Sequence, residues 1–374
     1  MRYRRFGKTN LWMSVFSLGT MRYLAMEENA RQTIHQALSL GINHIETARG
    51  YGKSELYLGA ALKNELPLRS QLYITTKIPP QPDADLMRCY IDESLERLGV
   101  DYLDCLAIHG INTWEHLDLV QRVDGCMQAV GEAVADGRVR HIGFSTHAPL
   151  EVIEAAINTD LFEFVNLHYY YFFQRNAAAI ELAHTKDMGV FIISPADKGG
   201  RLYTPPNTLK DLCYPFSPLE LNYRFLLSNP RITTLSVGAA NPAELVEPLR
   251  LADDDQPLTT KEVEVLQGLE AHAAAALHDR CSQCYACLPC PEKINIPEVL
   301  RLRNLAVAYD MKEYSQERYR MFENAGHWFP GMKANNCTQC GDCLPRCPEQ
   351  LDIPKLLFDA HTRLNGSQGR RLWG

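Results

Sequence analysis

The chain has 374 residues, too many for one ordinary compact domain but enough for a barrel of about 250 residues and a further module of about 100. Hydrophobic residues at 46% and charged residues at 22% exclude a disordered chain, and a formal net charge of −7 excludes a basic surface for nucleic acid or anionic lipid. No apolar run approaches the roughly 20 residues of a membrane span, and no apolar stretch of an export signal follows Met1-Arg-Tyr-Arg-Arg-Phe6, so the expected location is the cytoplasm.

In chain order, Phe6–Val15 reads as a short hairpin leading into the fold. Strand-like apolar runs follow at Val15–Gly19, Ile42–Glu46, Leu72–Lys77 and Leu103–His109. They continue at Val139–Ser145, Phe164–Tyr169, Val190–Ser194 and Thr233–Gly238. Helix-like stretches separate them. Asp85–Leu98 carries Leu86, Ile91, Leu95 and Leu98 at helical spacing, and Gly99 stops it. Eight strand-then-helix units predict a parallel sheet closed into a (β/α)8 TIM barrel. An open doubly wound sheet is the rival, but no G-x-G-x-x-G turn follows the first strand. The barrel is expected over residues 1–255. Asp253-Asp-Asp marks a solvated boundary, and a linker helix capped at Thr259 or Thr260 runs through Ala273-Ala-Ala-Ala into a second domain, residues 256–374.

A barrel of this kind carries its active site at the C-terminal ends of its strands. The polar residues there are Glu46 and Tyr51 after the second strand, Lys77 after the third and His109 after the fourth. Reducing a carbonyl needs a proton donor for the developing alkoxide. A tyrosine can serve if a neighbouring ammonium favours its phenolate. Lys77 is suited to that part beside Tyr51, Glu46 to holding Lys77, and His109 to aligning the carbonyl oxygen. Singly, each is more simply a solvated charge or a packing residue, but the fold converges all four on one site.

These residues lie in ordered motifs. Gly41-Ile-Asn-His-Ile-Glu-Thr-Ala-Arg-Gly-Tyr-Gly-Lys-Ser-Glu55 resembles the aldo-keto reductase signature G-x-x-x-x-D-T-A-x-x-Y-G-x-S-E. Arg5-Phe-Gly-Lys-Thr9, Leu18-Gly-Thr20, Ile74–Lys77, Asp101–His109 and Arg140–Ser145 are similar to further blocks of that family, from Met1 to about Arg250. The resemblance implies Tyr51 as proton donor, Lys77 as its modulator and His109 as the substrate-orienting residue. It implies Ser145 and Asn166 as holders of a nicotinamide carboxamide, with Thr20, Ser194, Pro195 and Gly238 lining the rest of an NAD(P)H groove. Four positions depart from the pattern: Glu46 replaces Asp, Asn166 replaces Gln, Ile193 replaces a stacking Tyr, and Ala240 stands near the place of a basic residue that grips a 2′-phosphate. Arg201, after Gly199-Gly200, is the nearest candidate for a phosphate, against the plainer reading of a solvated loop charge.

Eight of the 12 cysteines fall in two groups, Cys281-Ser-Gln-Cys284-Tyr-Ala-Cys287-Leu-Pro-Cys290-Pro and Cys337-Thr-Gln-Cys340-Gly-Asp-Cys343-Leu-Pro-Arg-Cys347-Pro. In a reducing compartment such groups read as metal sites. The second has the C-x2-C-x2-C-x3-C-P spacing of bacterial ferredoxins, and the first is one residue shorter. Each is followed by Asn-Ile-Pro or Asp-Ile-Pro opening a helix, so the groups form a repeat. Two structural zinc ions are the alternative. This stretch resembles the helical dicluster ferredoxin arrangement of succinate dehydrogenase iron–sulfur subunits. The resemblance implies two [4Fe–4S] clusters with the fourth cysteine crossing over, one on Cys281, Cys284, Cys287 and Cys347, the other on Cys337, Cys340, Cys343 and Cys290. Cys89, Cys105, Cys126 and Cys213 read as small buried hydrophobes.

Together these readings predict an α/β oxidoreductase, a barrel followed by a small, mostly helical ferredoxin-like domain. It would couple carbonyl or hydroxyl chemistry to electron transfer through the clusters. The expected partners are a small carbonyl or alcohol substrate and a redox protein, with a flavin left open as a cofactor. The competing reading is an electron-relay or ligand-binding protein whose barrel has lost catalysis.

Overall fold

The computed structural model describes residues 1–63 and 66–366, so residues 367–374 of the expected second domain lie outside the described part. Two strands, β1 (Tyr3–Arg5) and β2 (Trp12–Ser14), form the antiparallel hairpin expected at the start. Eight parallel strands then close a barrel: β3 (Phe16–Gly19), β4 (His44–Glu46), β5 (Tyr73–Ile78), β6 (Leu103–His109), β7 (Val139–Ser145), β8 (Phe164–Leu167), β9 (Gly189–Ile192) and β10 (Thr234–Val237). Each pairs with its sequence neighbour, and β10 closes onto β3 through Val237 opposite Leu18. Strands covered on both faces carry near-continuous apolar runs, which made them visible in the sequence.

The hairpin buries Phe6 and Met13 against Cys105, Ala107, Phe164 and Phe191 of the barrel. Gly7 permits the close approach. It adopts φ +54°, and a Cβ there would lie 2.2 Å from the Gly189 nitrogen. The helix Ala84–Leu98 is capped by Asp83, whose carboxylate accepts from the Leu86 nitrogen at 2.8 Å, and ends at Gly99 with φ +62°. Its inward row is Met87, Ile91, Leu95 and Leu98. Leu86, expected in that row, gives way to Met87 because four residues before Ile91 share its face.

By internal contacts the chain divides into two compact units. The first comprises residues 1–199 and 222–257, the second residues 200–221 and those from 258 onward. Residues 200–221 group with the second unit because the helix Asn207–Cys213 packs on the helix Thr260–Ala276. Thr259 caps the latter in a reciprocal box with Glu262. The second unit also holds the helices Ile296–Ala308 and Ile353–Leu364, capped by Asn295 and Asp352 in the repeated Ile-Pro context. Among the described residues no helix is long and apolar enough to cross a membrane.

Candidate functional site

In the first unit, strand register sets the site residues side by side. Glu46 pairs with Thr75, Lys77 with Ala107, His109 with Ser145, and Ser145 with Asn166. Five neighbouring strands, β4 to β8, thus deliver side chains to one end of the barrel. Lys77 is 1% exposed and donates to a Glu46 carboxylate oxygen and, at 2.7 Å, to the Thr47 carbonyl. The longer Glu46 side chain therefore does reach the ammonium. Tyr51 follows on the β4 loop, tied by its nitrogen to the Ala48 carbonyl at 3.0 Å. The Lys77 nitrogen lies over its ring, 4.7 Å from the centroid, and the His109 ring meets it edge-on at 5.7 Å and 82°.

Burial and ion pairing together set the protonation states. Although Tyr51 keeps some accessible surface, burial pushes its phenol above the ordinary value, opposite to the lowering expected from an adjacent ammonium. The phenol therefore holds its proton at neutral pH. Burial and the nearby Lys198 ammonium pull Lys77 well below its usual value, while the Glu46 carboxylate and the Thr47 carbonyl oppose that pull. The arrangement presents a donor O–H backed by a cation that favours the phenolate once its proton has left.

Asn166 is fully buried, and neither its amide nitrogen nor its amide oxygen has a hydrogen-bond partner. A buried amide left unmatched costs about 1–3 kcal/mol, so a polar ligand is the natural complement. A carboxamide fits, since it offers one donor and one acceptor group. Ser145 is buried beside it and accepts from the Gly110 nitrogen at 3.1 Å. Thr20 is buried and accepts from the Ser54 hydroxyl at 2.6 Å. Ser194 takes φ +52°, the Pro195 carbonyl accepts from Asn222 at 3.0 Å, and the Gly238 carbonyl accepts from Arg22 at 2.7 Å. Arg201 belongs to the second unit, where its guanidinium lies 3.5 Å from both Glu313 and Glu317, so a phosphate reaching it would compete with two carboxylates.

Sequence reasoning missed His147 and His168. The rings lie two residues beyond Ser145 and Asn166, with nitrogens 3.2 Å apart, and His168 also bonds the Tyr170 hydroxyl. Their position two residues after the expected strand-end contacts Ser145 and Asn166 was the available signal.

In the second unit, Cys281, Cys284, Cys287 and Cys347 line one cavity with Tyr285 and Leu300, while Cys290, Cys337, Cys340 and Cys343 line another. Among the described residues no three His, Cys, Asp or Glu side chains converge as ligands of one metal ion. Four thiols per cavity suit a [4Fe–4S] cluster. Burial pushes the Cys287 thiol up to about 12 and raises Cys281 and Cys343 as well; iron would deprotonate them on binding.

The family model for the aldo/keto reductase family matches residues 16–271, and that for a 4Fe-4S dicluster domain matches residues 280–351. The uncharacterized oxidoreductase YqkF of Bacillus subtilis is 26% identical over 71% of this chain and 96% of its own length. L-galactose dehydrogenase of Arabidopsis thaliana is 28% identical over 65% of this chain and 86% of its own. Among solved structures, the aldo-keto reductase AKR11C1 of Bacillus halodurans superposes with a TM-score of 0.63 at 23% identity, over 71% of this chain and 95% of that one, which bears on the fold. The chain is a member of the aldo/keto reductase family, an oxidoreductase whose barrel is followed by a 4Fe-4S dicluster domain.

Proposed function

We propose that this protein is an NAD(P)-linked oxidoreductase in which residues 1–255 interconvert a small carbonyl compound and its alcohol by hydride exchange with a nicotinamide, and residues 256–374 hold two clusters that pass electrons one at a time between a redox protein partner and a bound flavin, which takes up or gives the nicotinamide's electron pair. The observation that carries the reading is the placement of Tyr51 between the Lys77 ammonium and the His109 ring. Tyr51 donates its proton to the carbonyl oxygen. Lys77, held by Glu46 and the Thr47 carbonyl, balances the charge left on the phenolate. His109 orients that oxygen. Asn166 and Ser145 would hold the carboxamide of a nicotinamide, with Thr20, Ser194, Pro195 and Gly238 along the rest of the groove. Such a cofactor supplies the hydride.

Cys281, Cys284, Cys287 and Cys347 would hold one [4Fe–4S] cluster and Cys290, Cys337, Cys340 and Cys343 the other. Those clusters supply one-electron exchange with a protein partner. The test is carbonyl-dependent oxidation of NADH and NADPH by anaerobically purified full-length protein, with nicotinamide, flavin and iron counted per chain. Tyr51→Phe should lower turnover by about 10²–10⁴-fold. If it turns over every tested carbonyl as well as the parent does, the barrel chemistry is not this one.

A further inference from the structure

The first turns of the two cysteine loops repeat one another down to the backbone. Cys281-Ser-Gln283-Cys284 answers Cys337-Thr-Gln339-Cys340, and both glutamines sit in the left-handed region, at φ +62° and +58°. A non-glycine residue there is uncommon and marks a turn held by its surroundings. Yet the two side chains behave differently. The Gln283 amide nitrogen donates to the Pro297 carbonyl at 2.7 Å and to the Cys281 sulfur at 3.5 Å. Among the described residues the Gln339 amide makes no hydrogen bond, although Cys337 and Pro354 stand where Cys281 and Pro297 stand in the first repeat.

A primary amide has two N–H donors, and here each has an acceptor. The orientation is therefore determined: a flipped amide would aim its oxygen at a carbonyl and a sulfur, both acceptors. Pro297 belongs to the N-terminal turn of the helix Ile296–Ala308, so Gln283 fastens the first cysteine of its loop to that helix.

We propose that Gln283 is a positioning residue that raises the reduction potential of the cluster held by Cys281, Cys284, Cys287 and Cys347, and that no equivalent residue acts on the other cluster. Adding one electron to a cluster increases the negative charge on its sulfurs. An N–H directed at a sulfur favours the reduced form, and hydrogen bonding to sulfur is a recognised determinant of such potentials. The inference rests on the two-cluster reading above. Its consequence is that the two clusters differ in potential partly because one glutamine of a repeated pair is engaged and the other is not.

The test is a potentiometric titration of the full-length protein, purified anaerobically, followed by electron paramagnetic resonance with iron counted for each variant. Gln283→Leu should lower one of two midpoint potentials and leave the other in place. Gln283→Glu keeps the side-chain volume, so it remains informative should the leucine variant lose iron. Its carboxylate cannot donate and adds negative charge, so it should lower the same midpoint further than leucine does. Because that added charge lowers the midpoint by itself, the assignment of the hydrogen bond rests on the leucine variant's shift in iron-loaded protein set against Gln339→Leu. Gln339→Leu should move neither midpoint. Unchanged midpoints in both Gln283 variants, or equal shifts from Gln283→Leu and Gln339→Leu, overturn the proposal. A parent preparation without iron removes the cluster reading and this inference with it, whereas iron-loaded variants that ignore Gln283 remove this inference alone.

Discussion

In the barrel unit the site residues are fixed by other parts of the protein, whereas in the second unit the eight cysteines face cavities from loops with little regular structure. Lys77 is held by Glu46 and a carbonyl, Ser145 by a backbone nitrogen, and Tyr51 by its own turn. Cys281–Cys290 and Cys337–Cys347 are turns and extended segments between helices. A site assembled from strand ends is formed before its ligand arrives. A site of converging thiols is completed by the ligand, so its binding energy is also folding energy. On the proposed function, one chain thus contains a preorganised catalytic site and a metal-dependent one.

The largest expected effect comes from removing iron. Small metal-stabilised modules owe roughly 10 kcal/mol to their metal, so chelation should melt the cysteine loops while the barrel stays folded. Limited proteolysis of the stripped protein should cut within residues 281–293 and 337–350 and spare the strands. If the stripped protein shows the same cutting pattern as the loaded one, the cysteine unit is preorganised too and the contrast disappears.

Two substitutions sharpen the barrel side. Lys77→Met removes one partner of a buried ion pair and leaves Glu46 charged and uncompensated, which should cost about 3–5 kcal/mol of stability along with activity. Tyr51→Phe should cost activity alone, because the lost hydroxyl belongs to a side chain that still packs. Thermal unfolding measured beside turnover separates them: equal stability losses would mean that Tyr51 serves the fold as well as the chemistry.

The two units also differed in how far the sequence disclosed them. Cysteine spacing is local information, and the crossed placing of Cys290 and Cys347 came from the resemblance to two-cluster ferredoxins that this spacing carries. The barrel strands announced themselves as apolar runs, and the polar residues at and just after their ends were Glu46, Tyr51, Lys77 and His109. The partners were hidden, because they depend on contacts between distant segments. Nothing near Arg201 in the sequence signals Glu313 or Glu317, and nothing near Asn166 signals that its amide is left unpaired. The burial that opposes the Lys77 ammonium at Tyr51 was hidden for the same reason, since local chemistry shows the neighbouring ammonium but not the burial.

Asn166 yields a smaller effect with two signs. Asn166→Ala should weaken nicotinamide binding about tenfold, the value of one or two hydrogen bonds. The cofactor-free protein should become more stable by about 1 kcal/mol, because an unmatched buried amide has gone. Binding and melting measured on the same preparation check both signs, and a drop in stability without ligand would show that Asn166 supports the barrel itself.

The smallest effect concerns the interior of the barrel. The His44 Nδ1 lies 2.6 Å from the Ser17 hydroxyl and its Nε2 2.7 Å from the Thr75 hydroxyl, and Ser17 continues to Thr234 at 2.7 Å. This polar belt crosses β10, β3, β4 and β5 where no water reaches. Burial, aided by the Lys77 charge, lowers His44 from 6.5 to about 3. An unfolded chain binds a proton at His44 below about 6.5, whereas the folded barrel refuses it until about 3. In that window the unfolded state holds more protons, so stability falls as the pH is lowered through it, by roughly 1 kcal/mol per pH unit. Unfolding by denaturant at pH 7 and pH 5.5 should show this loss in the barrel transition, and His44→Gln, which cannot titrate, should flatten it. An equally steep dependence in that variant would assign the acid sensitivity to other groups and remove the belt from the account of what holds the barrel closed.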